Sequence, residues 1–325
     1  MRRVVTIACV LLLGIAILTT RSTLADALHA LRHAQAGWIT GALVCELIVY
    51  LALAFLLHRL LHRVGELPGG TCFALALVVF GLGGIMPAAP AEGITVATSE
   101  MSRRGVPASR GAGALIVSVW VRYLMLAVVF AIDLAVAVAN GRRLGLDIPT
   151  VVGVSVAILL IVAGAVAVAR SRWLAHTAAA LLERVARRVR SAETRVTGEA
   201  LRATLAMVLG TRVDQAMAGA WAAASWLADA ACLAFCVRAL GGTLSFDAVL
   251  VAYVAGQAAA LLPLLPGGIG VVDLAVPTVM HRLGVPFDTA LASTFAWRGL
   301  SLITPAATGG LALVGLRGRS TVTTS

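Results

Sequence analysis

The chain has 325 residues, 60% of them hydrophobic and only 13% charged, with a mean hydropathy of +0.96. Its apolar residues come in long blocks instead of amphipathic periods, which excludes an ordinary water-soluble globule. The formal charge of +11 is carried by arginine without a single lysine. These charges sit mainly in loops beside apolar spans, so they fit a positive-inside membrane topology and not nucleic-acid binding.

In chain order, Arg2, Arg3, an apolar run and Ala25-Asp26-Ala27 have the layout of a signal peptide. The run reaches about 16 residues and reads as an uncleaved first helix. Blocks long enough to cross a ~30 Å hydrocarbon layer lie at roughly Val4 to Thr20, Gly37 to Leu57, Gly111 to Ala139, Thr150 to Ala169, Ala216 to Leu240 and Phe287 to Leu316. Two further blocks, Gly70 to Pro90 and Asp247 to Pro266, each end in Pro-x-x-Pro. Cys9, Cys45, Cys72, Cys232 and Cys236 all fall inside apolar blocks, where they read as small buried hydrophobes and not as a disulfide framework.

The segment Arg170 to Arg202 is the richest in arginine and is placed in the cytoplasm. Trp173, Leu174, Leu181, Leu182, Val185 and Val189 recur within it at near-helical spacing, which suits a helix lying on anionic inner-leaflet lipid. If every apolar block crossed fully, this segment would fall outside. The contradiction disappears if Gly70 to Pro90 enters and returns on the cytoplasmic side, and Asp247 to Pro266 does so on the other. The expected fold is therefore an all-α polytopic protein of the cell membrane with about six full spans, two Pro/Gly-broken re-entrant hairpins and both termini cytoplasmic.

The two hairpins resemble each other. Pro87-x-x-Pro90 matches Pro263-x-x-Pro266, Gly105-Val106-Pro107 matches Gly284-Val285-Pro286, and Trp120-Val121-Arg122 parallels Trp297-Arg298. Within one transmembrane domain over 1–325, a first repeat at about 70–139 and a second at about 247–316 would run in opposite senses. Broken helices at matching places in inverted repeats point to a transport site. Proline removes a backbone donor and glycine permits tight turns, and such irregular backbone survives at membrane depth only against protein or a water-filled cavity.

Glu46, Arg122, Asp133, Asp229 and Arg298 fall inside apolar blocks, with Glu92 and Asp273 just past the proline breaks. A charge at mid-bilayer costs on the order of 2.5 to 3.5 kcal/mol on insertion scales, so these residues need partners or water. Arg122 and Arg298 follow the repeated motifs, and their planar forks suit phosphate. Candidate lipid-binding residues are Arg298, Arg122, Asp273 and Glu92, together with the broken segment Pro266, Gly267, Gly268 and Gly270.

At Pro263 to Asp273 the chain resembles the lysylphosphatidylglycerol synthase transmembrane family, also called flippase-like, whose members carry P-G-G-[IL]-G-x-x-E after a proline-ended helix. The likeness covers most of the chain beyond the first helix and is strongest from about Ala218 to Leu313. Leu240 to Phe246 resembles the preceding loop, and Gly284-Val285-Pro286 with Trp297-Arg298 the following helix. Members also show P-G-R-x-G-E and then a helix with an E-R pair. Here Pro87 and Glu92 fit, while Ala89 and Ala91 replace the arginine and glycine, Val121 precedes Arg122, and Asp273 stands for glutamate. The resemblance implies movement of polar-headed lipids between leaflets, as in the membrane half of multiple peptide resistance factors, or a role near polyprenyl-phosphate sugars. Those synthases attach a large soluble aminoacyl-transfer domain. With nine residues after Leu316, nothing in the chain supports lysyl transfer.

Catalytic motifs are thin. His29 with His33 and His58 with His62 share helical faces, but only Glu66 lies near, so they read as interfacial histidines and not metal ligands. There is no P-loop and no G-x-S-x-G elbow, and Gly81-Leu-Gly-Gly84 reads as helix packing. No catalytic residue, metal or cofactor is expected, and no sequence signal sets an oligomeric state. Three functions follow: a translocator of a phosphate-bearing lipid or lipid-linked envelope precursor, a membrane-embedded transferase on a lipid-linked sugar or headgroup, or a non-transporting envelope-assembly partner.

Overall fold

The computed structural model describes residues 34–62, 67–85, 90–139, 211–260 and 268–322, all of it helices and short turns. The first expected span, the span at 150–169, the basic segment 170–202 and the proline tips of both hairpins lie outside these residues. In chain order the helices are α1 (Ala36–Leu61), α2 (Gly69–Ala76), α3 (Pro90–Ser102), α4 (Ala108–Ala139), α5 (Arg212–Ala239), α6 (Phe246–Ala260), α7 (Val271–Arg282), α8 (Phe287–Arg298) and α9 (Thr304–Val322). A π-helical stretch, Leu77–Gly81, and a 3-10 turn, Leu82–Ile85, extend α2, while a second π stretch, Gly299–Ile303, joins α8 to α9.

Among the described residues, four helical segments are long and apolar enough to cross a membrane: Ala36–Leu61, Ala108–Leu134, Arg212–Ala239 and Phe287–Leu316. Helix ends extend past the apolar blocks where polar residues satisfy the first free backbone donors. The third of these spans starts at Arg212, ahead of the expected Ala216, because the Thr211 hydroxyl accepts the Asp214 N–H at 3.1 Å. The outer face of α1 is apolar, with Leu43, Leu47, Ile48, Leu51 and Phe55 exposed, while Glu46 on the same helix is buried. Polar inside and apolar outside is the distribution a lipid solvent selects.

Helices α1 and α5 pack along their lengths in opposite senses. At one end Arg59 pairs with Asp214 at 3.2 Å, and at the other the Gln35 N–H donates to the Ala239 carbonyl at 3.0 Å. Two apolar cores follow these ends. The first gathers Leu60, Leu61, Leu67, Met101, Val106 and Leu316, so α2 begins and α3 finishes at the Arg59 end. The second gathers Ala42, Val237, Val249, Met280 and Val285, so α6 begins and α7 finishes at the Ala239 end. The outer ends of each short pair thus share one end of the bundle, and each pair forms a hairpin. Each hairpin runs into a long helix: α2–α3 into α4, and α6–α7 into α8 and α9.

The turns joining hairpin to long helix are alike in detail. Gly105 and Gly284 both adopt positive φ, 82° and 100°. The Val106 N–H reaches the Met101 carbonyl and the Val285 N–H the Met280 carbonyl, each at 3.1 Å. This is the glycine-terminated helix end that closes free carbonyls, followed in both cases by a proline that starts the next helix.

Candidate functional site

Glu46, Arg122, Asp229, Asp273 and Arg298 converge between the two hairpin-bearing units. Asp273 stands in the first turn of α7, just after the broken segment, and its Oδ2 accepts the Gly270 N–H at 2.9 Å. Its Oδ1 lies 3.2 Å from Arg298 Nε. One carboxylate therefore caps the tip of the second hairpin and holds the arginine at the end of α8. Gly270 and Gly268 carry positive φ of 82° and 66°. A Cβ on Gly268 would meet Val272 at 2.8 Å and Ala260 at 3.4 Å. The tip turns tightly enough that only a residue without a side chain fits.

Arg122, near the middle of α4, is held differently. Its guanidinium lies 4.1 Å from the Trp226 ring centroid and 4.9 Å from that of Phe80. The Trp226 indole N–H donates to the Arg122 carbonyl at 2.6 Å. Arg122 Nε is buried with no hydrogen-bond partner. Glu92, in the first turn of α3, is half-buried and makes no ion pair with Arg122. Of the four charged residues singled out from the sequence, Asp273 and Arg298 come together as a pair, whereas Glu92 and Arg122 do not. Pro266 and Gly267 lie outside the described residues.

Between the two arginines stands Asp229, 8% exposed on α5. Its Oδ1 accepts the Trp297 indole N–H at 2.6 Å and its Oδ2 the Tyr253 hydroxyl at 2.7 Å. Asp229 lies in the fields of both Arg122 and Arg298. An aromatic row follows the same path: Tyr123 to Trp226, Trp226 to Tyr253 and Tyr253 to Trp297 have centroids 5.8, 6.1 and 5.6 Å apart. Glu46 on α1 faces this centre, 7% exposed, and its Oε2 has no partner. Asp229, Trp226, Tyr253 and the supporting role of Trp297 were missed as site residues. The available signal was that a carboxylate in mid-span requires donors, and tyrosine and tryptophan are scarce enough in this chain to be candidates.

Taken with the apolar exterior and the broken helices, this buried charge centre defines an α-helical polytopic membrane protein. The family model described as the lysylphosphatidylglycerol synthase TM region matches residues 4–309, and the chain belongs to that family. A comparison with curated proteins gives no match.

Proposed function

We propose that the chain moves a phosphate-bearing lipid between leaflets, with Arg298 and Arg122 as the two phosphate-binding groups and the hairpin tips as the moving parts. The observation that carries this reading is the ion pair between Arg298 and Asp273, because Asp273 also caps the tip beside Gly268 and Gly270. A phosphodiester, though tetrahedral, offers Arg298 a pair of anionic oxygens that its fork can bind together, as it can a carboxylate. A lipid phosphate that takes Arg298 from Asp273 loosens the tip's anchor, which links headgroup binding to opening of the second hairpin.

The two hairpins, one at each end of the bundle and each ending in the same glycine-valine-proline turn, support an inverted repeat with re-entrant tips meeting near mid-bilayer. The end bearing Arg59, Arg103 and Arg104 is then cytoplasmic. On this reading the Ala239 end opens outward.

The test is reconstitution of the purified chain into phosphatidylglycerol vesicles with a fluorescent phosphatidylglycerol. Expected is protein-dependent loss of protection from an external quencher, with the labelled lipid recovered at its original mass. A changed mass identifies a transferase. No movement above protein-free vesicles, with the labelled lipid unmodified, overturns the translocation reading.

A further inference from the structure

Resting on the translocation reading, we infer that Glu46 is a proton-binding site linked to Arg122, so that each lipid phosphate taken by Arg122 brings a proton onto Glu46. The two carboxylates in the centre are built unequally. Asp229 receives two neutral donors, one on each oxygen, an arrangement that holds an anion in place. Glu46 is as deeply buried, yet its Oε2 receives no donor. An ionised carboxylate without hydrogen bonds is costly in an apolar interior, and a second anion nearby adds to that cost.

The groups facing Glu46 come from each polar element around it. On α1 these are Cys45 and Tyr50, on α5 Asp229, Cys232 and Cys236, on α4 Arg122, and on α6 Tyr253. Arg122 is the one cation among them. Its Nε, like the Oε2 of Glu46, is buried without a hydrogen-bond partner, and its guanidinium lies over Trp226, one turn along α5 from Asp229.

The charge balance gives the linkage. With Arg122 free, its positive charge favours the Glu46 carboxylate. With a phosphodiester on Arg122, that positive charge is offset and Glu46, which has no donor on its Oε2, takes up a proton. The proton leaves when the phosphate leaves. By reciprocity, protonating Glu46 strengthens phosphate binding, so a proton gradient biases the direction of lipid movement.

The decisive measurement uses the full chain in detergent, weakly buffered with an indicator dye, and titrated with short-chain dihexanoyl phosphatidylglycerol. Expected is uptake of about one proton per lipid bound, and a protonated-carboxyl band in the infrared difference spectrum that appears with lipid. Both signals should be lost in Glu46→Gln. Lipid binding without proton uptake by the unaltered chain overturns the inference and leaves the translocation reading standing. Full uptake in Glu46→Gln overturns the assignment to Glu46. Absence of binding here, together with absence of lipid movement in vesicles, overturns both. If Glu46→Gln does not fold, the carboxyl band of the unaltered chain still decides, since no lipid-dependent band means no proton taken by a carboxyl.

Discussion

The two hairpin-and-span units share a joint and differ at the charge they deliver. In both, a methionine in the last turn of a short helix has its carbonyl bonded by the valine five residues on, a positive-φ glycine turns the chain, and a proline starts the long helix. Yet in the second unit the arginine is ion-paired to its own hairpin through Asp273, while in the first it is stacked on Trp226 and Phe80 and its hairpin carboxylate Glu92 stays apart. A repeated backbone can thus carry unequal electrostatics: the second unit is latched by charge and the first cushioned by aromatic faces. The glycines divide similarly. Gly268 is required by backbone conformation at a tip, whereas Gly81 lets the π stretch of the first hairpin lie against the Pro305 backbone of α9, and Gly309 admits Leu77 in return.

The largest break in this comparison should come from Gly268→Leu. The substitution demands a left-handed backbone from a branched residue and drives its side chain into Val272 and Ala260. Lipid movement in vesicles should fall to the protein-free rate while the chain still inserts and purifies as a single species. Full movement in this variant would reduce the glycine-rich tip to ordinary packing.

A smaller and more diagnostic contrast lies between the arginines. Arg298→Gln leaves Asp273 with a largely buried, unmatched charge and should lower stability in detergent by about 3 kcal/mol, the low end for breaking such a pair. It should also slow lipid movement at least tenfold, equivalent to about 1.4 kcal/mol. Arg298→Lys keeps the charge without the fork and should retain a fraction of the movement. Adding Asp273→Asn to Arg298→Gln should recover much of the stability and none of the movement. Arg122→Gln removes a stacked cation and should cost only about 1 kcal/mol of stability. Equal stability losses at the two arginines would erase the asymmetry, and normal movement in both Arg298→Gln and Asp273→Asn would make the pair purely structural.

How much of this was legible in the sequence follows from what hydropathy encodes. Spans such as Ala36–Leu61 were readable because an apolar run of the right length has few other uses, and the hairpins because proline and glycine cannot continue a buried helix without cause. Arg298 was readable as a mid-span charge and Asp273 as a charge of opposite sign just past a proline break. Their partners across the bundle were not. Asp229 meets Trp297 and Tyr253 from helices far along the chain, and in a helix apolar on nearly every side no periodic stripe tells which face turns inward. For the same reason the aromatic cushion of Arg122 was hidden, and Glu92 was the natural partner to expect from position alone. A further contact hidden from the sequence lies at the Arg59 end, where the Arg104 guanidinium donates to the Leu316 carbonyl at 2.6 Å and pairs with buried Glu100, tying the first hairpin to the end of the final span.

The smallest expected effect tests the shared joint itself. Gly105→Ala and Gly284→Ala each place a methyl group in open space, with nothing within 4 Å, so neither creates a clash. What each incurs is the left-handed backbone, about 1 to 2 kcal/mol for a residue with a Cβ. Because the two turns share their φ range and hydrogen-bond pattern, the two losses should agree within about 0.5 kcal/mol, and in the double variant they should add, the sites being far apart. Thermal unfolding of the purified chain in one detergent reads both. A loss confined to one glycine would mean that the joints only look alike, and that the two units meet their long helices under different strain.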